Sequence, residues 1–177
     1  MTTFQLRPWT PDDAYALALA ANNPKIAENL RNIFPSPYSL EDAQWFIQDC
    51  ISHTGKKQLA YAIEVDGEAA GSISILVKED VYEKSAELGY WLSEKYWRRG
   101  ITSRAVALIC QEAFAAFDIV RIYAEPFAHN AASRGVLEKA GFTLEGTMRN
   151  GVYKNGAVCS YCMYAILREE MEMLYGK

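Results

Sequence analysis

Two dipeptides constrain this chain more than any other feature. Asp66-Gly67 separates QLAYAIEV from EAAGSISILVK, and Asn155-Gly156 separates TLEGTMRNGVYK from AVCSYCMYAIL. In each case two strand-like runs meet at a two-residue turn, the commonest signature of a tight antiparallel hairpin. Between the hairpins the hydrophobic period changes. SAELGYWLS reads as a strand, YWRRGITSRAVALICQEAFAAF as a loop entering a long helix, IVRIYAEPF as a strand and NAASRGVLEKAGF as a helix stopped by glycine. Ahead of the first hairpin, FQLRPW reads as a strand and Thr10-Pro11-Asp12-Asp13 as the capped start of a helix through Ala21. Asn23-Pro24 restarts a helix through KIAENLRNI, Phe34 to Tyr38 breaks it with two prolines, and Ser39 with Asp42 caps LEDAQWFIQDCI.

Helices inserted between strands of one sheet give an α+β fold, an α/β sandwich with a mixed, mostly antiparallel sheet flanked by helices. Hairpins at both ends exclude a doubly wound dinucleotide fold. At 177 residues the chain, 1–177, is read as one domain.

A net charge of -4 and a pI near 5.3 argue against a nucleic-acid partner and suit a cationic one. No apolar run approaches the roughly 18 residues of a membrane span, and MTTFQLRPWTPDD has no basic patch before an apolar stretch. The expected location is cytoplasmic, with no membrane partner. Cys159 and Cys162 form a C-x-x-C, but a second ligand pair is missing and the segment reads as a strand. All four cysteines are taken as reduced packing residues, with no metal site.

The chemistry-bearing segment is Arg98-Arg99-Gly100-Ile101-Thr102-Ser103, between a strand and a helix. A helix N-terminus offers unpaired N–H groups and a partial positive charge, and glycine lets the backbone approach a ligand closely. Two arginines and two hydroxyls strengthen the reading of a phosphate or pyrophosphate site. The G-x-x-x-x-G-K-[ST] loop of nucleotide triphosphatases and the G-x-G-x-x-G fingerprint are both absent.

At these residues the chain resembles the GNAT superfamily of N-acetyltransferases, whose signature is Q/R-x-x-G-x-G/A at a strand-to-helix junction. Gly100 matches the central glycine, Trp97 stands in the first position as in the ribosomal-protein N-terminal (Rim-type) branch, and Thr102 replaces the last small residue. The resemblance extends to IAENLRNIFPSPYSLEDAQWFI, AELGYWLSEKYWRRG and N-x-x-S-x-x-V-L-E-K-x-G-F, the last running from Asn130 to Phe142.

The resemblance implies acetyl-CoA as co-substrate, lying between the splayed strands ELGYWLS and IYAEPF, the first usually carrying a bulge. Trp91, Leu92 and Ser93 would lie along the pantetheine arm, with Leu92 supplying the oxyanion donor. Arg98, Arg99, Gly100, Ile101, Thr102 and Ser103 would hold the diphosphate, and Asn130 would cap a helix and touch the arm. The tyrosine that often protonates the departing thiolate is replaced by Leu137, and in the Rim-type branch a serine, here Ser133, takes its place. Glu87 is the preferred base and Glu125 the second candidate, because a protonated amine must lose a proton before it attacks. Tyr90, Tyr161 and Tyr164 could shape the acceptor site, while His53 and His129 read as surface residues. The acceptor is an amine: a protein N-terminus, a polyamine or a small molecule. Dimers are common in the family, which leaves a homodimer open. The competing reading is a non-catalytic acyl-CoA-binding module.

Overall fold

The computed structural model describes residues 2–176. Seven strands form one sheet: β1 (Phe4–Pro8), β2 (Gln58–Val65), β3 (Glu68–Val77), β4 (Ser85–Leu92), β5 (Arg121–Ala124), β6 (Thr143–Lys154) and β7 (Ala157–Leu167). Their order is β1-β2-β3-β4-β5-β7-β6. All neighbours are antiparallel except β4 and β5, which run parallel. Both tight turns are present. Asp66 and Gly67 have φ of 54° and 81°, and Asn155 and Gly156 have 51° and 80°, the double left-handed geometry that twists with its strands.

Helices cover both faces. On one face lie α1 (Ala14–Ala21) and α3 (Leu40–His53), with the single turn α2 (Pro24–Ala27) between them in sequence. On the other lie α4 (Ile101–Ala116), α5 (Ala131–Lys139) and α6 (Arg168–Tyr175). β2 shows how one strand serves two cores. Leu59, Ile63 and Val65 join the core under α4, whereas Ala60 and Ala62 turn to α1 and α3, where small residues let the helices approach. In α4, Ile101, Ala105, Val106, Ile109, Cys110, Ala113 and Phe114 are buried at helical spacing.

Two local expectations change. The helix expected through KIAENLRNI ends at Ala27, and the chain then runs irregularly to Tyr38. That segment is anchored by aromatic contacts instead: Phe34 packs 5.0 Å from Tyr38 and 6.0 Å from Trp91, centroid to centroid. The closing helix α6 was not expected from sequence. Met171 buries it against the core, while Glu170 caps it by accepting from the Leu167 N–H at 2.8 Å.

Candidate functional site

β4 and β5 pair at only three positions, Ser85 with Arg121, Ala86 with Ile122 and Glu87 with Tyr123. β4 then continues to Leu92, while β5 stops at Ala124 and leads into Glu125-Pro126. The strands thus part just beyond Glu87. A cleft of about 1790 Å³ runs through the opening, lined by β4, the 98–103 loop, the start of α5, the 28–38 segment and α3. The β4 register against β3 is uninterrupted from Ala86 to Leu92, so the splay is made without the bulge expected there.

The register decides which backbone groups face the gap. Ser93 N–H donates to Ala70 of the neighbouring chain segment at 2.8 Å, and Ser85 C=O accepts from Lys78 at 2.9 Å. In an antiparallel ladder such residues alternate, so 85, 87, 89, 91 and 93 turn their main chain toward β3. Leu88, Tyr90 and Leu92 turn theirs toward the splay. Of the three residues expected along the arm, only Leu92 presents backbone there, and its carbonyl already accepts from the Trp97 indole N–H at 2.7 Å. Trp91 and Ser93 are committed to β3, and the Trp91 ring packs on Phe34. Leu88 and Tyr90 were missed because the β3–β4 connection is no tight hairpin, and sequence does not reveal its register.

The loop from Trp97 to Ser103 curls. Arg98 and Gly100 both have positive φ, 60° and 69°. For Arg98 the left-handed conformation costs about 1–2 kcal/mol, strain of the kind that collects at functional sites. Alternating conformations of this kind turn successive N–H groups into one concavity. Among the described residues, no protein acceptor meets the N–H groups of Arg98, Arg99 or Gly100. α4 also begins differently from its neighbours. Ser39 caps α3 and Asn130 caps α5 through side-chain oxygens, whereas the Gly100 N-cap has none to offer. The first turn of α4 is left open to an anion. Of the two arginines, Arg99 is turned back, donating to the Lys95 carbonyl at 3.0 Å and lying over the Tyr96 ring. Ile101 is buried beneath the loop, with Thr102 and Ser103 half-buried at the cleft.

Asn130 and Ser133 come together at the start of α5. Asn130 Oδ1 accepts from the Ser133 N–H at 3.1 Å, the capping bond expected. Ser133 Oγ lies 2.7 Å from the hydroxyl of Tyr90, which also reaches the Ser133 carbonyl at 3.2 Å. Burial pushes the Tyr90 phenol well above its ordinary range, so it stays a neutral hydroxyl across the working pH range. Tyr161 lines the cleft, but Tyr164 does not: it is buried, donating to Glu138 at 2.8 Å and accepting from Arg134 at 3.1 Å.

Glu87 and Glu125 stand on opposite lips where the strands part. They are joined by Arg31, which donates through one terminal nitrogen to Glu87 and, at 2.8 Å, to Glu125. Lys78 donates to the second Glu87 oxygen at 3.1 Å, and that carboxylate holds Lys78 above its ordinary range. The alternation of β4 places Glu87 on the opposite sheet face from Tyr90 and Ser133. Glu41, Trp45 and Asp49 of α3, spaced at helical intervals, line the cleft on that side. His53, bonded to Asp49, and His129 are both exposed. Cys50, pushed by burial to about 12, and Cys110, pushed up by the same cause, are inert thiols away from the cleft.

Comparison with known proteins agrees with this geometry. Residues 3–143 match the family model described as an acetyltransferase (GNAT) domain. The putative ribosomal N-acetyltransferase YdaF of Bacillus subtilis is 34% identical over 107 residues, 60% of this chain and 58% of that protein. The spermidine N(1)-acetyltransferase of Escherichia coli K12 is 24% identical over 86% of this chain and 79% of its own length. The structure of RimL, a ribosomal L7/L12 alpha-N-protein acetyltransferase in complex with coenzyme A, superposes with a TM-score of 0.83 at 28% identity, covering 94% of this chain and 95% of that one. With its seven-stranded sheet opened between β4 and β5 and the loop of Gly100 at the mouth, the chain belongs to the GNAT acetyltransferase family and is an acetyl-CoA-dependent N-acetyltransferase.

Proposed function

We propose that the protein transfers acetyl directly from acetyl-CoA to a cationic primary amine, both bound at once, with the donor on the α5 side of the sheet and the acceptor on the α3 side. The observation that carries this reading is the splay, where Ser133 and Glu87 approach one opening from opposite faces. The diphosphate sits on the N–H groups from Arg98 to Ser103. The pantetheine amides pair with the open backbone of Leu88, Tyr90 and Leu92, and Asn130 closes over the arm. Leu92 lies five residues from Glu87, about 16 Å along a strand. It therefore belongs to the diphosphate end, and the oxyanion donor is the Leu88 or Tyr90 N–H rather than that of Leu92.

The ammonium gives one proton to Glu87, and the neutral nitrogen attacks the thioester carbon. An N–C bond forms, the C–S bond breaks, and the nitrogen loses its second proton as the amide forms. The thiolate leaves and takes up a proton, so one proton is released overall. Tyr90 O–H donates to Ser133 Oγ, which turns the Ser133 O–H toward the sulfur. The test is an acceptor screen with acetyl-CoA that follows thiol release and N-acetylated product. It should span spermidine, amino sugars and peptides with free N-termini. Thiol release that depends on an amine supports the reading. Binding of CoA, seen as a raised melting temperature, with no amine-dependent release would favour a binding module.

A further inference from the structure

The bridge made by Arg31 has a consequence for the acceptor. Both Glu87 oxygens are already engaged in the arrangement described: one is held by Arg31, the other by Lys78, with the Tyr123 hydroxyl at 3.5 Å. Arg31 also spans to Glu125, so its guanidinium sits across the acceptor-side opening. Two carboxylates facing two cations, Arg31 and Lys78, balance in charge. Arg31 is the more removable of the two cations, being 61% exposed against 32% for Lys78. Its segment does not depend on it either. Phe34 packed 6.0 Å from Trp91, and the Tyr38 N–H donating to Asn22 Oδ1 at 3.0 Å, anchor the chain that follows it.

We infer that Arg31 is a specificity-determining residue of the acceptor subsite, the resident counter-cation of the Glu87–Glu125 pair. An acceptor is selected by bringing a cation of its own to replace it. Displacement frees a Glu87 oxygen beside the incoming ammonium, so the same event that admits the acceptor makes the carboxylate able to receive its proton. An amine without positive charge does not compete for the two carboxylates: it leaves the guanidinium in place, and Arg31 does not enter its binding. This inference rests on the acceptor lying on the α3 side, as proposed above.

The experiment compares wild type, Arg31→Ala and Arg31→Lys. Spermidine binding is measured by titration calorimetry with CoA bound in place of acetyl-CoA, so that no turnover is needed. Arg31→Ala should bind spermidine about threefold to tenfold more tightly, the effect of removing a competitor held by two partly exposed ion pairs. Arg31→Lys, which keeps a cation, should stay near wild type. In steady-state assays, the Michaelis constant for spermidine should fall in Arg31→Ala, and that for O-benzylhydroxylamine, uncharged at neutral pH, should not. Equal or weaker spermidine binding in Arg31→Ala, a parallel change for both amines, or no spermidine binding to any of the three proteins overturns the inference. Tighter spermidine binding without turnover of any amine leaves the Arg31 exchange standing and counts instead against the transferase reading.

Discussion

Gly100→Glu tests the diphosphate site, and the structure allows the variant to be read cleanly. Gly100 has a φ of +69°, so any side chain there costs about 1–2 kcal/mol in the left-handed region. A Cβ built on it meets nothing within 4 Å, so no steric cost adds to that. Against a typical stability of about 5–15 kcal/mol the variant folds. Gly100→Ala carries the same backbone cost without charge and serves as the reference. With the diphosphate seated on these amides, the new carboxylate faces it at the mouth of the cleft. Unit charges about 4 Å apart repel by roughly 1 kcal/mol in bulk water and about 4 kcal/mol near a protein surface. An intermediate value of about 1–3 kcal/mol corresponds to roughly 5-fold to 150-fold weaker CoA binding. Calorimetry on both variants reads it, and the gap should shrink in high salt. Gly100→Glu and Gly100→Ala binding CoA within twofold of each other, both folded, would refute the placement of the diphosphate.

Other expectations follow from the same geometry. Ser133→Ala should lower kcat by about tenfold to a hundredfold with a smaller change in the Michaelis constant for acetyl-CoA. Tyr90→Phe should lower it less, and the double variant should match Ser133→Ala, because the tyrosine acts through the serine; additive losses would separate them. Burial alone would raise the Asp13 carboxyl, but the two-pronged Arg7 guanidinium at 2.7 and 2.8 Å, with the Thr10 N–H and hydroxyl, outweighs it and holds the pKa below its ordinary value. A depressed folded value means stability fully present above the unfolded pKa of about 3.9 and lost as pH falls through the folded one. Asp13→Asn should therefore cost about 1–3 kcal/mol near pH 7, with the melting-temperature gap to wild type closing below about pH 4; a gap unchanged at pH 2.5 would contradict this. Gly71→Ala places a Cβ 2.4 Å from the Trp91 carbonyl oxygen and 3.0 Å from Leu92 Cα. Both contacts are backbone beside the splay, so denaturant unfolding should show a loss above about 2 kcal/mol.

The local elements were legible because their causes are local. A turn that needs φ > 0 twice names itself as Asp-Gly or Asn-Gly, a capping box names itself as Ser39 with Asp42, and an uncapped helix start names itself as Gly100 after two arginines. The order of strands and helices followed, and with it the sandwich. Short segments whose fate depends on what they meet were not legible. KIAENLRNI has helical spacing, yet it leaves the helix at Ala27, and its course to Tyr38 is set by Phe34 packing on Tyr38 and on Trp91 of a distant strand. Side-chain alternation along β4 can be read from its sequence, but which residues turn their amides to the gap depends on its register against β3, across a seven-residue connection that dictates none. The chain alone thus determined that a loop carrying Gly100 would lead from a strand into the start of a long helix. The tertiary pairing decided that β4 and β5 part beyond Glu87, and so which backbone faces the opening and which side chains meet across it, because those contacts join residues that no sequence spacing brings together.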